Sequence, residues 1–251
     1  MNEVSELGNP TSAPAGYRLG DPIALEDSLA LPPDGRRYVR DAEGRLALMA
    51  PDEAQWHRLP LSYLVTWLVR RVDPAYLVSP EPGIAFGHIE TLDGRLLPPS
   101  RLGPRTLEPD VAVLAGSPDF VRDEGGCARG FDPSSLRLIV EVLSPGTHRQ
   151  DLGLGAADQV DRFRSYLRSG VPEYWVLNPT PEPLALPPRT GLFLRAASPS
   201  AREWEPLRGE ELVHASDQVQ GLQPVARGRL RSAALGLTFD LDALWTALMG
   251  A

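Results

Sequence analysis

The chain has 251 residues, 42% of them hydrophobic and 23% charged, with a formal net charge of −8. That length supplies a full core without a disulfide or metal staple. The single cysteine, Cys127, excludes a disulfide framework and any multi-cysteine zinc site. The acidic balance argues against a protein that coats nucleic acid passively, because phosphate neutralisation dominates non-specific affinity.

Residues 1–20 are polar and rich in Pro, Gly, Ser and Asn, and read as a disordered lead; residues 21–251 read as a single domain. The N-terminus lacks the basic start and apolar stretch of a secretory signal, and no apolar run reaches the roughly 18 residues of a membrane span, so a cytoplasmic protein with no membrane partner is expected. Residues 21–31 are expected to form a short helix. RRYVRDAEGRLALM (36–49) reads as two strands around a turn at Glu43-Gly44. PLSYLVTWLVRRV (60–72) has Leu61, Leu64, Val65 and Leu68 at helical spacing, with Pro60 suited to the first helical position. Short strands follow near 75–79, 83–89 and 110–115, with a turn at LDGR (92–95).

Residues 116–135, with Gly125-Gly126 and several charges, read as a surface insertion, and the proline-rich stretch 180–191 as another. LRLIVEVL (136–143) is the clearest buried strand and carries one charge, Glu141. A helix over 158–169 is stopped by Gly170, and EYWVLNP (173–179) is the next strand. In that strand Tyr174 and Trp175 read as core aromatics. Short strands and turns lead to an amphipathic helix at 240–249.

No phosphate-binding Gly-rich loop, nucleophile elbow or zinc-helix motif occurs. All 25 basic residues are arginine, so no catalytic lysine is possible; GC-rich codon usage accounts for this without a functional cause. His57, His88, His148 and His214 form no close-spaced ligand pair, and Cys127 has no histidine nearby to act as its base. The informative feature is Pro109-Asp110, at the start of DVAVL, together with Glu141 inside an apolar strand. A carboxylate in a strand core costs several kcal/mol unless it is paired, protonated or metal-bound. Two carboxylates on neighbouring strands make an oxygen-rich pocket suited to magnesium or manganese. The competing reading pairs Glu141 with an arginine.

EPDVAVL, LRLIVEVLSPGT, Asp151, Tyr166 and GVPEYWVLNP, in that order, resemble the Uma restriction-endonuclease family of the PD-(D/E)XK nuclease-like superfamily; LALMAP before His57 and SPEPGIAF (79–86) agree in order, and the resemblance spans roughly residues 22–248. It implies an α/β fold: a restriction-endonuclease-like mixed β-sheet flanked by helices, here with additional C-terminal strands. It implies Asp110 and Glu141 as ligands of Mg²⁺ or Mn²⁺, joined by the main-chain carbonyl of Val142. The superfamily's lysine falls on Leu143 at the strand position, which cannot serve. The helix position, four residues before Tyr166, is Arg162. Counting from Asp151 points instead to about Gly155, and a seven-residue offset is close to two helical turns, which would put 155 and 162 on one face. Arg162 either reaches the sheet beside Tyr166 or pairs with Asp158 on the surface. The family's first-strand glutamate falls on Val39 or Arg40, with Asp41 or Glu43 as substitutes, and Asn178 stands where aspartate is common. His57 matches a recurrent family histidine, either in the cleft or as a capping residue.

The expected function is therefore a divergent Mg²⁺-dependent endonuclease acting on DNA phosphodiesters, with Asp110, Glu141, Arg162 and His57 as catalytic candidates and a homodimer as an expected partner state. Arginine stays protonated, so it cannot act as a general base, but it can bind a phosphate bidentately. The alternatives are a catalytically degenerate nuclease-fold module that binds nucleic acid or a protein partner, and a hydrolase of small phosphate esters.

Overall fold

The computed structural model describes residues 17, 21–24, 27, 38–40, 45–48, 54–87, 89–97, 105–122, 124–144, 148–180 and 184–248. Its centre is a nine-stranded mixed sheet. The strands of its main path are β3 (Tyr76–Pro80), β6 (Val111–Ala115), β9 (Leu136–Val142), β10 (Glu173–Asn178), β11 (Thr190–Ala196), β13 (Gly209–His214) and β14 (Val225–Ser232), and their spatial order is β13-β14-β11-β10-β9-β6-β3. Strand β12 (Trp204–Pro206) pairs with β11, and β15 (Leu237–Asp240) with β14. β9 and β10 run parallel, with Glu141 opposite Val176. The other pairings of this sheet are antiparallel.

Alternation along the strands divides two cores. Leu138, Val140 and Val142 of β9, Val111 and Val113 of β6, and Trp175 and Leu177 of β10 face one side. Helices α1 (Ala54–Val69) and α4 (Leu241–Leu248) cover that side. Each presents an apolar stripe at helical spacing: Leu61, Leu64 and Leu68 in α1, and Leu241, Leu244, Trp245 and Leu248 in α4. Phe239 joins the two sides of this core, 5.1 Å from both the Trp67 and Trp175 rings. Ile139 of β9 and Leu143 just beyond it, Ala112 and Leu114 of β6, and Tyr174 and Val176 of β10 face the other way, into a second core. Glu141 shares their parity.

Over that second face lie α2 (His148–Asp151), α3 (Arg162–Arg168) and a four-stranded sheet in the order β5-β4-β8-β7. Its strands are β4 (Ile84–Phe86), β5 (Arg105–Leu107), β7 (Phe120–Arg122) and β8 (Ala128–Phe131). Residues 116–135 thus contain a hairpin that belongs to this sheet. A separate antiparallel pair, β1 (Tyr38–Arg40) and β2 (Leu46–Leu48), aligns Tyr38 with Leu48; the turn at Glu43-Gly44 falls outside the described residues. So do most of residues 1–20. No helix among the described residues is long and apolar enough to cross a membrane.

Three local expectations change. Pro22 bridges Arg45, and the Leu46 amide donates to the Asp21 carbonyl, so residues 21–22 run extended beside β2; Asp27 is helical, and residues 25–26 and 28–31 of the helix expected over 21–31 lie outside the described residues. Helix α1 starts at Ala54, so Pro60 lies inside it. The lost i→i−4 hydrogen bond there is outweighed by the burial of Leu61, Leu64, Trp67 and Leu68. Helix α3 starts at Arg162, not 158. The preceding residues are held by backbone bonds to the 90–93 segment instead: Leu92 N to Gln159 O, Asp93 N to Ala157 O and Asp161 N to Glu90 O. Gly170, at φ +76°, ends α3 as the sequence indicates, in a left-handed conformation costly for other residues.

Glu173 opens β10 and is 1% exposed; its Oε1 accepts from the Ala234 amide at 2.9 Å. Burial pushes its carboxyl above the usual glutamate range. The native state therefore holds this proton more tightly than the unfolded chain, and the stability this confers is complete below about pH 4.3 and lost as pH rises through the native value. Glu173→Gln keeps the acceptor and removes the titration. Urea midpoints should show the variant gaining on wild type between pH 4 and pH 8; a constant difference would mean the carboxyl titrates normally.

Candidate active site

The site is built where β6 begins and β9 ends. The antiparallel register sets Val111 opposite Val140, which brings Asp110 beside Glu141. The two residues interlock through main chain. The Asp110 amide donates to Glu141 Oε2 at 3.2 Å, and the Val142 amide donates to Asp110 Oδ2 at 2.7 Å. Thus the Asp110 main chain fixes the Glu141 side chain, thirty-one residues away, and the Val142 main chain fixes the Asp110 side chain.

Helix α3 supplies the next layer. Arg162 and Tyr166 stand four apart on one face. The Tyr166 hydroxyl donates to Glu141 Oε1 at 2.6 Å, and Arg162 Nη1 donates to the same oxygen at 3.1 Å. That Nη1 also reaches Asp151 Oδ1, at 3.2 Å. Asp151 ends α2, and its carbonyl accepts the Tyr174 hydroxyl at 2.8 Å. Glu141 and Asp151 are each 1% exposed, whereas the Arg162 side chain is 19% exposed and meets solvent.

Seven residues make a helix too short to hold itself, so α3 is fixed from outside. The Asp161 carboxylate caps it through the Arg164 amide, and Trp204 Nε1 donates to the Phe163 carbonyl. On a different face of α3, Ser165 Oγ accepts the Glu90 amide, and Arg168 Nε lies 3.0 Å from the fully buried Glu90 carboxylate.

Electrostatics follow from burial. Burial drives the Glu141 carboxyl well above its usual range; Asp151 and Asp110 add to this, while Arg162 and the Tyr166 hydroxyl oppose it. For Arg162, burial works against its charge, but Glu141, Tyr166 and Asp151 outweigh it and hold the guanidinium protonated. Burial and the Glu141 charge push the Tyr166 phenol up, so it remains a donor.

The structure brings Asp110, Glu141, Val142 and Arg162 together. Asp158 and Gly155 precede α3, so neither the two-turn offset nor the surface i,i+4 pair describes Arg162. His57 lies in the first turn of α1, the helix on the opposite face of the sheet from the Glu141 side chain, and its own side chain is outside the described residues. Asp151 had only its place in the motif string to mark it, and Tyr166 only its spacing from Arg162; their contacts with the acid pair depend on tertiary structure. Glu90 carried no signal at all: it lies between an isoleucine and a turn.

The donor set suits a hard divalent cation. Magnesium uses one or two carboxylates and completes its shell with water and phosphate oxygens. Asp110 and Glu141 with a main-chain oxygen at Val142 match that requirement. Among the described residues no three Asp, Glu, His or Cys groups stand at ligand spacing, so this would be a two-carboxylate site.

The chain is thus an α/β protein: a mixed sheet flanked by helices, with an interlocked acid pair at its strand ends and an arginine on the covering helix. Residues 25–223 match the model of the Uma2 family, described as "putative restriction endonuclease", and the chain belongs to that family. Among solved structures, a "putative nuclease belonging to DUF820" from Anabaena variabilis ATCC 29413 is similar at 18% identity, covering 90% of this chain and 99% of that one with a TM-score of 0.49. A comparison with curated proteins gives no match.

Removing one partner of a buried ion pair costs about 3–5 kcal/mol because the other charge is left uncompensated. Arg162→Ala should therefore be among the most destabilising changes at the site, and Tyr166→Phe should cost about 1.5–3 kcal/mol, the usual value of a hydrogen bond to a charged group. Chemical denaturation of both variants checks the order; a loss under 1 kcal/mol for Arg162→Ala would mean that the carboxylates are neutralised by other means.

Proposed function

We propose that the chain is a metal-dependent endonuclease of the PD-(D/E)XK type that hydrolyses DNA phosphodiesters. The observation that carries the reading is the interlocked Asp110–Glu141 pair with Arg162 directly over it; membership of a restriction-endonuclease family supports DNA as the substrate. In this reading Asp110, Glu141 and the Val142 carbonyl hold Mg²⁺ or Mn²⁺. Such an ion supplies Lewis-acid stabilisation of the phosphoryl charge and lowers the pKa of water.

The chain's own groups do the rest. The Val142 amide fixes Asp110, and the Asp110 amide and Tyr166 hydroxyl fix the two oxygens of Glu141. Arg162 presents a planar fork of donors where the cluster reaches solvent, beside the half-buried Asp110, suited to a phosphate oxygen and to the charge that grows on it. Because it stays protonated, it orients and stabilises without taking a proton from water.

A second reading, a degenerate module that binds nucleic acid or a protein without cutting, draws on the same arginine: its ion pairs with Glu141 and Asp151 already offset part of the charge that a cation would neutralise. One experiment separates the two. Supercoiled plasmid is incubated with Mn²⁺ or Mg²⁺ at low salt with wild type, Asp110→Asn and Glu141→Gln. The endonuclease reading expects nicking by wild type and a loss of at least about 100-fold in both variants, in line with removing a group that stabilises the transition state. Folded wild type that binds DNA but leaves it intact supports the module.

A further inference from the structure

We propose that Arg162, tethered by Asp151, is an internal cation that competes with the divalent ion for Glu141, and so sets the metal affinity of the site. The inference rests on the reading that Asp110 and Glu141 hold a divalent ion; it adds what this chain's arginine does to that ion.

A carboxylate oxygen accepts about two hydrogen bonds. Glu141 Oε1 already has two donors, the Tyr166 hydroxyl at 2.6 Å and Arg162 Nη1 at 3.1 Å. Glu141 Oε2 accepts the Asp110 amide at 3.2 Å, and Asp110 Oδ2 accepts the Val142 amide at 2.7 Å. A cation that uses Oε1 must displace the guanidinium or the phenol. A cation that uses Oε2 shares a buried pocket with a fixed positive charge, and like charges there repel across a low dielectric. Both routes weaken metal binding.

Asp151 makes the competitor persistent. Its Oδ1 holds the same Nη1 at 3.2 Å, so Arg162 is tethered from two directions rather than one. An arginine also cannot yield by losing its proton, as a lysine could in a buried site. The consequence is that metal and phosphate both act on one side chain. An ion that frees the guanidinium from Glu141 makes its donors available, and a phosphate that engages those donors relieves the competition. Metal and substrate should therefore bind with positive coupling, and metal alone weakly.

The test is Mn²⁺ calorimetry on the full chain, comparing wild type, Arg162→Lys, Arg162→Gln and the double variant Arg162→Gln/Asp110→Asn. We expect Arg162→Gln to bind Mn²⁺ at least tenfold more tightly than wild type, Arg162→Lys to fall between them, and the double variant to lose the gain. An arginine that merely supports the fold, or that helps to bind the ion, predicts the opposite sign. Folded Arg162→Gln that binds no more tightly than wild type overturns the proposal, as does absence of binding in both. A gain that survives Asp110→Asn instead overturns the assignment of the metal site. If Arg162→Gln does not fold, Mg²⁺ titration of wild type followed by ¹H–¹⁵N NMR of arginine Nε groups decides. The resonance missing from the Arg162→Lys spectrum should move in step with Mg²⁺; an unmoved resonance while Mg²⁺ binds overturns the proposal.

Discussion

One buried charge organises this structure. Glu141 is 1% exposed in the middle of the sheet, on a strand whose other inward positions are aliphatic. An unpaired carboxylate there would cost several kcal/mol. Three donors from two parts of the chain meet it: the Asp110 amide at the start of β6, and the Tyr166 hydroxyl and Arg162 guanidinium of α3. Each donor arrives only if its own element is placed correctly, so the charge ties β6, β9 and α3 into one arrangement.

The dependence runs outward from there. Arg162 and Tyr166 sit on a helix of seven residues that has no independent stability. Its position is enforced by a cap from Asp161, a hydrogen bond from Trp204 and contacts of Ser165 and Arg168 with the buried Glu90. Glu90 and Glu141 each engage an arginine of that helix. The aromatic cluster of Tyr166, Tyr174, Phe163 and Trp204 fills the space between helix and sheet, with the Tyr166 and Tyr174 rings 5.2 Å apart. Two of those rings also carry hydroxyls into the acid cluster, so packing and polar contacts are made by the same side chains.

Replacing lysine by arginine throughout changes what this site can do. A lysine in a buried site can lose its proton; an arginine cannot. The guanidinium instead offers a fork of donors and a permanent charge, which suits holding carboxylates and phosphate oxygens in turn. The same composition that excludes a lysine base places a fixed cation over Glu141.

Much of the frame was legible in the sequence because it depends on local periodicity. The alternation in LRLIVEV, the apolar stripe of α4, the LDGR turn and Gly170 as a helix stop all appear where their spacing and residue types put them. The pair Asp110 and Glu141 was visible as well, since a charge inside an apolar strand demands an explanation. What spacing could not give was the start of α3, because residues 157–161 satisfy their backbone groups against the 90–93 segment, far away in sequence, rather than along a helix. For the same reason residues 116–135 read as surface decoration although they pair into a second sheet with β4. The sequence by itself determined which strands are buried, which residues are acidic within them and that every cation is arginine. Only the tertiary structure decided that Arg162, Tyr166 and Asp151 converge on Glu141, because those contacts are set by strand register and helix docking, which no local pattern encodes.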